Sequence, residues 1–149
     1  KMPDVTAARE IFQLLDTLRL VNPAGMEDEG QLEAPEHPPV QCRTRELDDG
    51  QIAMTLLAGE ASEADAPAAP DPLLELVLYP VMGSAEIRRL IYDGDCELDP
   101  FDPKGKLRPL VMRVARSYVR RWLGQLAADG YLFRSENHSD SSRTARVAS

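Results

Sequence analysis

The sequence predicts an α+β domain: a two-layer antiparallel sheet of about four strands packed against N- and C-terminal helices. Three observations predict it. Segments with apolar residues at helical spacing stand near both ends of the chain. Between them, two alternating segments flank Asp48-Asp49-Gly50, which suits a tight hairpin. Pro80 to Ser84 makes another short connection, which favours antiparallel neighbours.

The elements follow in order. Asp4 or Thr6 can cap a first helix. In it Ala8, Ile11, Phe12, Leu15 and Leu18 recur at helical spacing, and Asn22-Pro23 stops it. Residues 23–39 are rich in Pro, Gly and Glu and read as a loop. In the strand from Val40 to Leu47, Val40, Cys42 and Thr44 lie opposite Gln41, Arg43 and Arg45. From Gln51 to Ala58 the alternation repeats, with Ile52, Met54, Leu56 and Ala58 on one face. Residues 59–71 hold only small, acidic and proline residues and read as a mobile loop. Leu73–Tyr79 is apolar on both faces except at Glu75, as expected of a central strand. Ala85–Tyr92 fits both periods and reads as a strand in preference to a short helix. A loop over 93–106 leads to a helix from about Pro109 to Ala128, with Gly130 as its stop. Leu107, Leu110, Val111, Val114, Tyr118, Trp122, Leu123 and Leu126 form its expected buried stripe. Residues 135–149 read as a disordered tail, which leaves one domain over 1–134.

A chain of 149 residues suits a single domain with its own core. The net charge of −8 argues against general affinity for nucleic acid or anionic membrane. Cys42 and Cys96 stand far apart, which suggests two buried thiols in a reducing compartment. No apolar run approaches the roughly 18 residues of a membrane span. No charged-then-apolar leader opens the chain, and Met2, after Lys1, reads as the natural start. The expectation is a soluble cytoplasmic protein.

Between Leu78 and Leu123 the chain carries Leu78-Tyr79, then Ala85-Glu86 followed by an apolar residue. Pro103 and Lys106-Leu107 come next, and Trp122-Leu123 closes the set. In order, and nearly in spacing, these residues resemble the YqiB-like proteins, a bacterial family of unknown function. That family also places a helix and hairpin where this chain begins. The chain departs from it in segment 59–71 and in DGDCELDPFDPKG at 93–105, where the family is more aromatic and basic. The resemblance implies a small bacterial cytoplasmic protein and brings no activity or cofactor.

Three groups of residues invite a functional reading. Asp93, Asp95, Glu97 and Asp99 alternate, so an extended backbone would place their carboxylates on one face, as a hard divalent metal needs. The register of a calcium loop fails, because Leu98 stands where glycine is required and Lys104 where glutamate is. A solvated acidic loop explains the run equally simply. On the last helix Arg113, Arg116 and Arg120 share a face, flanked by Arg108 and Arg121. Such a stripe could grip phosphate or an acidic protein, or it could be solvated or paired within the chain. It has no neighbouring aromatic residue to stack a base. Residues 1–75 carry 5 basic and 16 acidic side chains, and residues 76–149 carry 12 and 9, so the halves can satisfy one another within a monomer or across a dimer. The third group is the outward sheet face, with Gln41, Arg43 and Arg45 beside Ala53, Thr55 and Leu57. A two-layer fold covers one face of its sheet and leaves the other free to dimerise or dock a partner.

No catalytic set is complete. His37 and His138 sit apart from any evident nucleophile, and there is neither a nucleophile elbow nor a glycine-rich phosphate loop. The expected function is a non-enzymatic binding or adaptor protein without a cofactor. It would be a homodimer acting through the sheet face, with Arg43 and Arg45, and through the Arg113, Arg116 and Arg120 stripe. Secretion chaperones offer an analogy of size, acidity and architecture. The alternatives are a divalent-metal-binding or metal-assisted hydrolase domain using Asp93, Asp95, Glu97 and Asp99, and a nucleic-acid-binding accessory protein.

Overall fold

The computed structural model describes residues 5–21, 28–58, 72–92 and 96–135. The sequence-predicted loop at 59–71 lies outside them, as does all of the predicted tail except Ser135. In chain order the elements are helix α1 (Val5–Thr17) and strands β1 (Asp28–Ala34), β2 (His37–Glu46), β3 (Ile52–Leu57), β4 (Leu73–Tyr79), β5 (Ser84–Tyr92) and β6 (Cys96–Leu98). Helix α2 (Pro109–Ala128) and strand β7 (Leu132–Ser135) follow. The strands form one antiparallel sheet of seven, in the order β6-β5-β4-β3-β2-β1-β7.

The α+β class and both helices agree with the sequence reading, while the expected four strands become seven. The segment read as a loop over 23–39 contains β1. Its outward residues Glu29, Gln31 and Glu33 are polar, and inward it offers Gly30, Leu32 and the small Ala34 at its end, so its inward signal is weak. Strands β6 and β7 have three and four residues and sit at the sheet edges, too short for a periodic signal. Gly30 has a packing role. A side chain there would strike the Arg134 carbonyl and come within 2.8 Å of the Phe133 ring, so β7 can lie against β1 only without it.

Hydrophobic alternation fixes which sheet face is buried. Leu32, Val40, Cys42, Ile52, Met54, Leu56, Leu74, Leu76, Leu78, Ile87 and Leu90 all point to one side and are buried. Ala7, Ile11 and Leu15 of α1, with Leu18 just beyond it, close over that side. The β2–β3 hairpin turns through Asp49 (φ 64°) and Gly50 (φ 75°), as the tripeptide predicted. The Leu47 amide donates to the Gln51 carbonyl at 2.7 Å across its neck.

Helix α2 begins at Pro109, as expected, but presents a different stripe to the core. The buried positions are Met112, Ala115, Val119, Leu123 and Leu126, whereas Leu110 and Val114 are 69% and 51% exposed. Leu107 precedes the helix and is also exposed. With Ala115 inward, the ring of Tyr118 packs on that of Tyr92, centroids 4.8 Å apart. On the other flank the Arg120 guanidinium reaches Glu10 of α1 at 2.9 Å. After α2, the Tyr131 hydroxyl donates to the Pro38 carbonyl at 2.7 Å, and the Phe133 amide donates to the Leu18 carbonyl at 2.9 Å. These bonds bind β7 to the body of the domain. Among the described residues no helix is long and apolar enough to cross a membrane.

Candidate docking surface

The second face of the sheet carries the outward half of every strand. Gln41, Arg43 and Arg45 stand beside Leu57, Thr55 and Ala53, the face grouped from the sequence. The register continues into β4, where Leu57, Thr55 and Ala53 meet Leu73, Glu75 and Val77. Ile91 of β5 lies beside Leu73. Leu57, Leu73, Val77 and Ile91 are all half-buried, although both helices lie on the opposite face. The result is an apolar row of Leu57, Leu73 and Ile91, with Val77 on the far side of Glu75.

Charged side chains stand between and around these apolar positions and pair along the sheet. Arg43 reaches Glu29 at 2.9 Å, and Arg89 reaches Glu97 at 2.8 Å and Glu75 at 3.5 Å. Arg134 reaches Glu33 at 3.5 Å, and the Gln31 amide donates to the same carboxylate at 2.6 Å. The hydrogen bond to Glu97 is the main reason the Arg89 guanidinium holds its proton more tightly than usual. Glu75, the charge the sequence set inside an apolar strand, thus has its arginine across the sheet. Exposed pairs of this kind stabilise a fold by about 0–1 kcal/mol each, so their weight falls on pattern more than on stability. A bulge between β4 and β5 inserts Arg88. Its guanidinium lies 4.3 Å from the centre of the Phe101 ring and 2.8 Å from Glu86. Glu86 also accepts the Tyr79 hydroxyl at 3.0 Å, and burial first, then this carboxylate, raises the Tyr79 pKa.

The five arginines expected to bind a partner fall into two groups. Arg43 and Arg45 are exposed on the open sheet face, and Arg113, Arg116 and Arg120 are on α2 across the domain. The helical three do not act as one free stripe. Arg113 is exposed, Arg116 is half-buried and Arg120 is committed to Glu10. A groove between α1 and α2 runs past that pair, lined also by Leu14, Thr17, Ser117 and Gly124. Sequence reasoning missed Glu29, Glu33, Arg89 and Arg134. The Glu29-x-Gln31-x-Glu33 alternation was the available signal for the first two.

Of the candidate metal ligands, Asp93 and Asp95 lie outside the described residues. Glu97 is engaged by Arg89, and Asp99 follows it at the end of β6. Burial, then the neighbouring Glu97, pushes the Asp99 carboxyl above its usual range. Among the described residues no three His, Cys, Asp or Glu side chains gather closely enough to hold a metal ion. Asp102 shapes the turn before α2, where its Oδ1 accepts the Lys104 and Lys106 amides at 2.9 and 2.8 Å. Cys42 is buried as expected, but Cys96 is exposed, because it sits on the edge strand β6. The His37 ring lies against Tyr131, centroids 5.7 Å apart, and His138 is outside the described residues. Comparison with protein-family models, curated proteins and solved structures finds no match to this chain.

Proposed function

We propose that this is a cytoplasmic binding or adaptor protein, not an enzyme, and that it docks another protein chain on the open face of its sheet. One observation carries the reading. Leu57, Leu73 and Ile91 form an apolar row across three strands, and Val77 lies beyond the Glu75–Arg89 pair, on a face that neither helix covers. Apolar side chains beside paired charges on an uncovered face suit a protein interface. Exposed Leu110 and Val114 beside Arg113 on α2 give the opposite side of the domain a second, smaller surface. Kinship with the YqiB-like family, drawn from Leu78 to Leu123, belongs to the same proposal and adds no chemistry to it.

Val77→Arg tests the reading, because it replaces an apolar residue of the open face by a charge and leaves the core untouched. Tagged wild-type chain is expected to retain its partner chain, an untagged second copy included, while the variant releases it and melts as the wild type does. Equal retention by both proteins contradicts the proposal.

A further inference from the structure

On the reading of the open face as a docking surface, we propose that the chain seated there is a second copy, related by a two-fold axis running along β3. The sign of the charge changes from strand to strand and does so antisymmetrically about β3. That strand presents Ala53, Thr55 and Leu57 and is neutral. On one side of it β2 presents Arg43 and Arg45, and on the other β4 presents Glu75. One strand further out, β1 presents Glu29 and Glu33, and β5 presents Arg89, with Arg88 balanced by Glu86. At the rims stand Arg134 of β7 and Glu97 of β6.

Half a turn about an axis parallel to β3 lays β2 of one copy over β4 of the other, β1 over β5, and β7 over β6. Arg43 then lies over Glu75, Glu29 over Arg89 and Arg134 over Glu97, each positive against negative, and β3 meets β3 through uncharged side chains. An axis across the strands would instead lay each strand on its own copy, arginine over arginine and glutamate over glutamate. Sheets stacked face to face sit about 10 Å apart with strands within about 30° of parallel, close enough for Arg and Glu side chains to meet between them. The charges named on this face balance, whereas the whole chain carries −8, so the net charge opposes association less here than over the molecule as a whole. A partner of uniform charge would oppose half of the stripes. A second copy opposes every stripe with one of opposite sign at one residue pair or more and closes the assembly at two.

Two variants test this. One carries Arg43→Glu and Arg45→Glu, and the other carries Glu75→Arg. Wild type is expected to sediment as a dimer. Each variant alone is expected to self-associate roughly a hundredfold more weakly, since like charges then face each other across the axis. Mixed in equal amounts, the two are expected to form a heterodimer, because reversed β2 meets reversed β4 and the native pair meets on the other side. A mixture as monomeric as its parts overturns the axis, and so do variants that dimerise like wild type. A monomeric wild type overturns the second copy outright. If Val77→Arg then also releases a different bound protein, the docking reading survives. If it changes nothing, that reading falls too.

Discussion

Leu74, Leu76 and Leu78 of β4 are at most 1% exposed on the helix side, whereas Leu73, Glu75, Val77 and Tyr79 of the same strand are half-buried on the other. Both sets are mostly apolar, so composition does not separate them. What separates them is cover: among the described residues one side meets α1 and α2, and the other meets neither. The strand period of two thus divides labour within a single segment. Changes on the inner side should register as lost stability, and changes on the outer side as lost association.

The largest expected effect sets the two sides against each other at adjacent residues. Leu76→Ala should cost about 2–5 kcal/mol in denaturant unfolding, through lost burial and a residual cavity. Val77→Ala, measured on monomeric protein, should cost about 1 kcal/mol or less, in the range of surface substitutions. Equal costs would mean that the outer side is covered within the monomer. Next in size is Gly30→Val, whose side chain collides with Phe133 and the Arg134 backbone. About 1–3 kcal/mol of strain is expected, with faster amide exchange in β7 and unchanged exchange in β3 and β4. Tyr131→Phe removes the hydroxyl that bonds the Pro38 carbonyl, for a loss of about 0.5–1.5 kcal/mol seen as a lower melting temperature.

The smallest effect concerns pH. The Asp99 carboxyl is raised by burial and by Glu97, so the native chain holds its proton more tightly than the unfolded chain. Its contribution to stability is full below the ordinary carboxylate value and is lost as pH rises through the raised native value. Asp99→Asn removes that dependence. The variant's melting temperature relative to wild type should therefore be higher above this window than below it, and a constant difference would contradict the assignment.

Much of the inner face was legible in the sequence. The β2–β3 hairpin was readable because Val40, Cys42, Ile52, Met54 and Leu56 alternate around a turn that needs positive φ at Asp49 and Gly50. The bounds of α2 were readable from Pro109 and Gly130. Its rotation was not, because Leu110 and Val114 share helical spacing just as Met112, Ala115 and Val119 do, and only the contacts with α1 and β5 choose between the rows. Strand β1 escaped because its inward side offers Gly30 and Leu32, and the pairing that holds it comes from distant residues on β2 and β7. The outward face was legible on β2 and β3 alone. Arg89 reaches Glu75 through a bulge that no alternation announces, and Arg134 reaches Glu33 through a strand formed more than a hundred residues of chain after α1 ends.

The axis along β3 makes one direct geometric claim, that Thr55 of one copy faces Thr55 of the other. Thr55→Cys in a Cys96→Ser chain, treated with a short bismaleimide, should yield a covalent dimer, while Ser117→Cys, in the α1–α2 groove across the domain, should stay monomeric. Failure of the Thr55→Cys chain to cross-link, or equal cross-linking at both positions, would contradict the account.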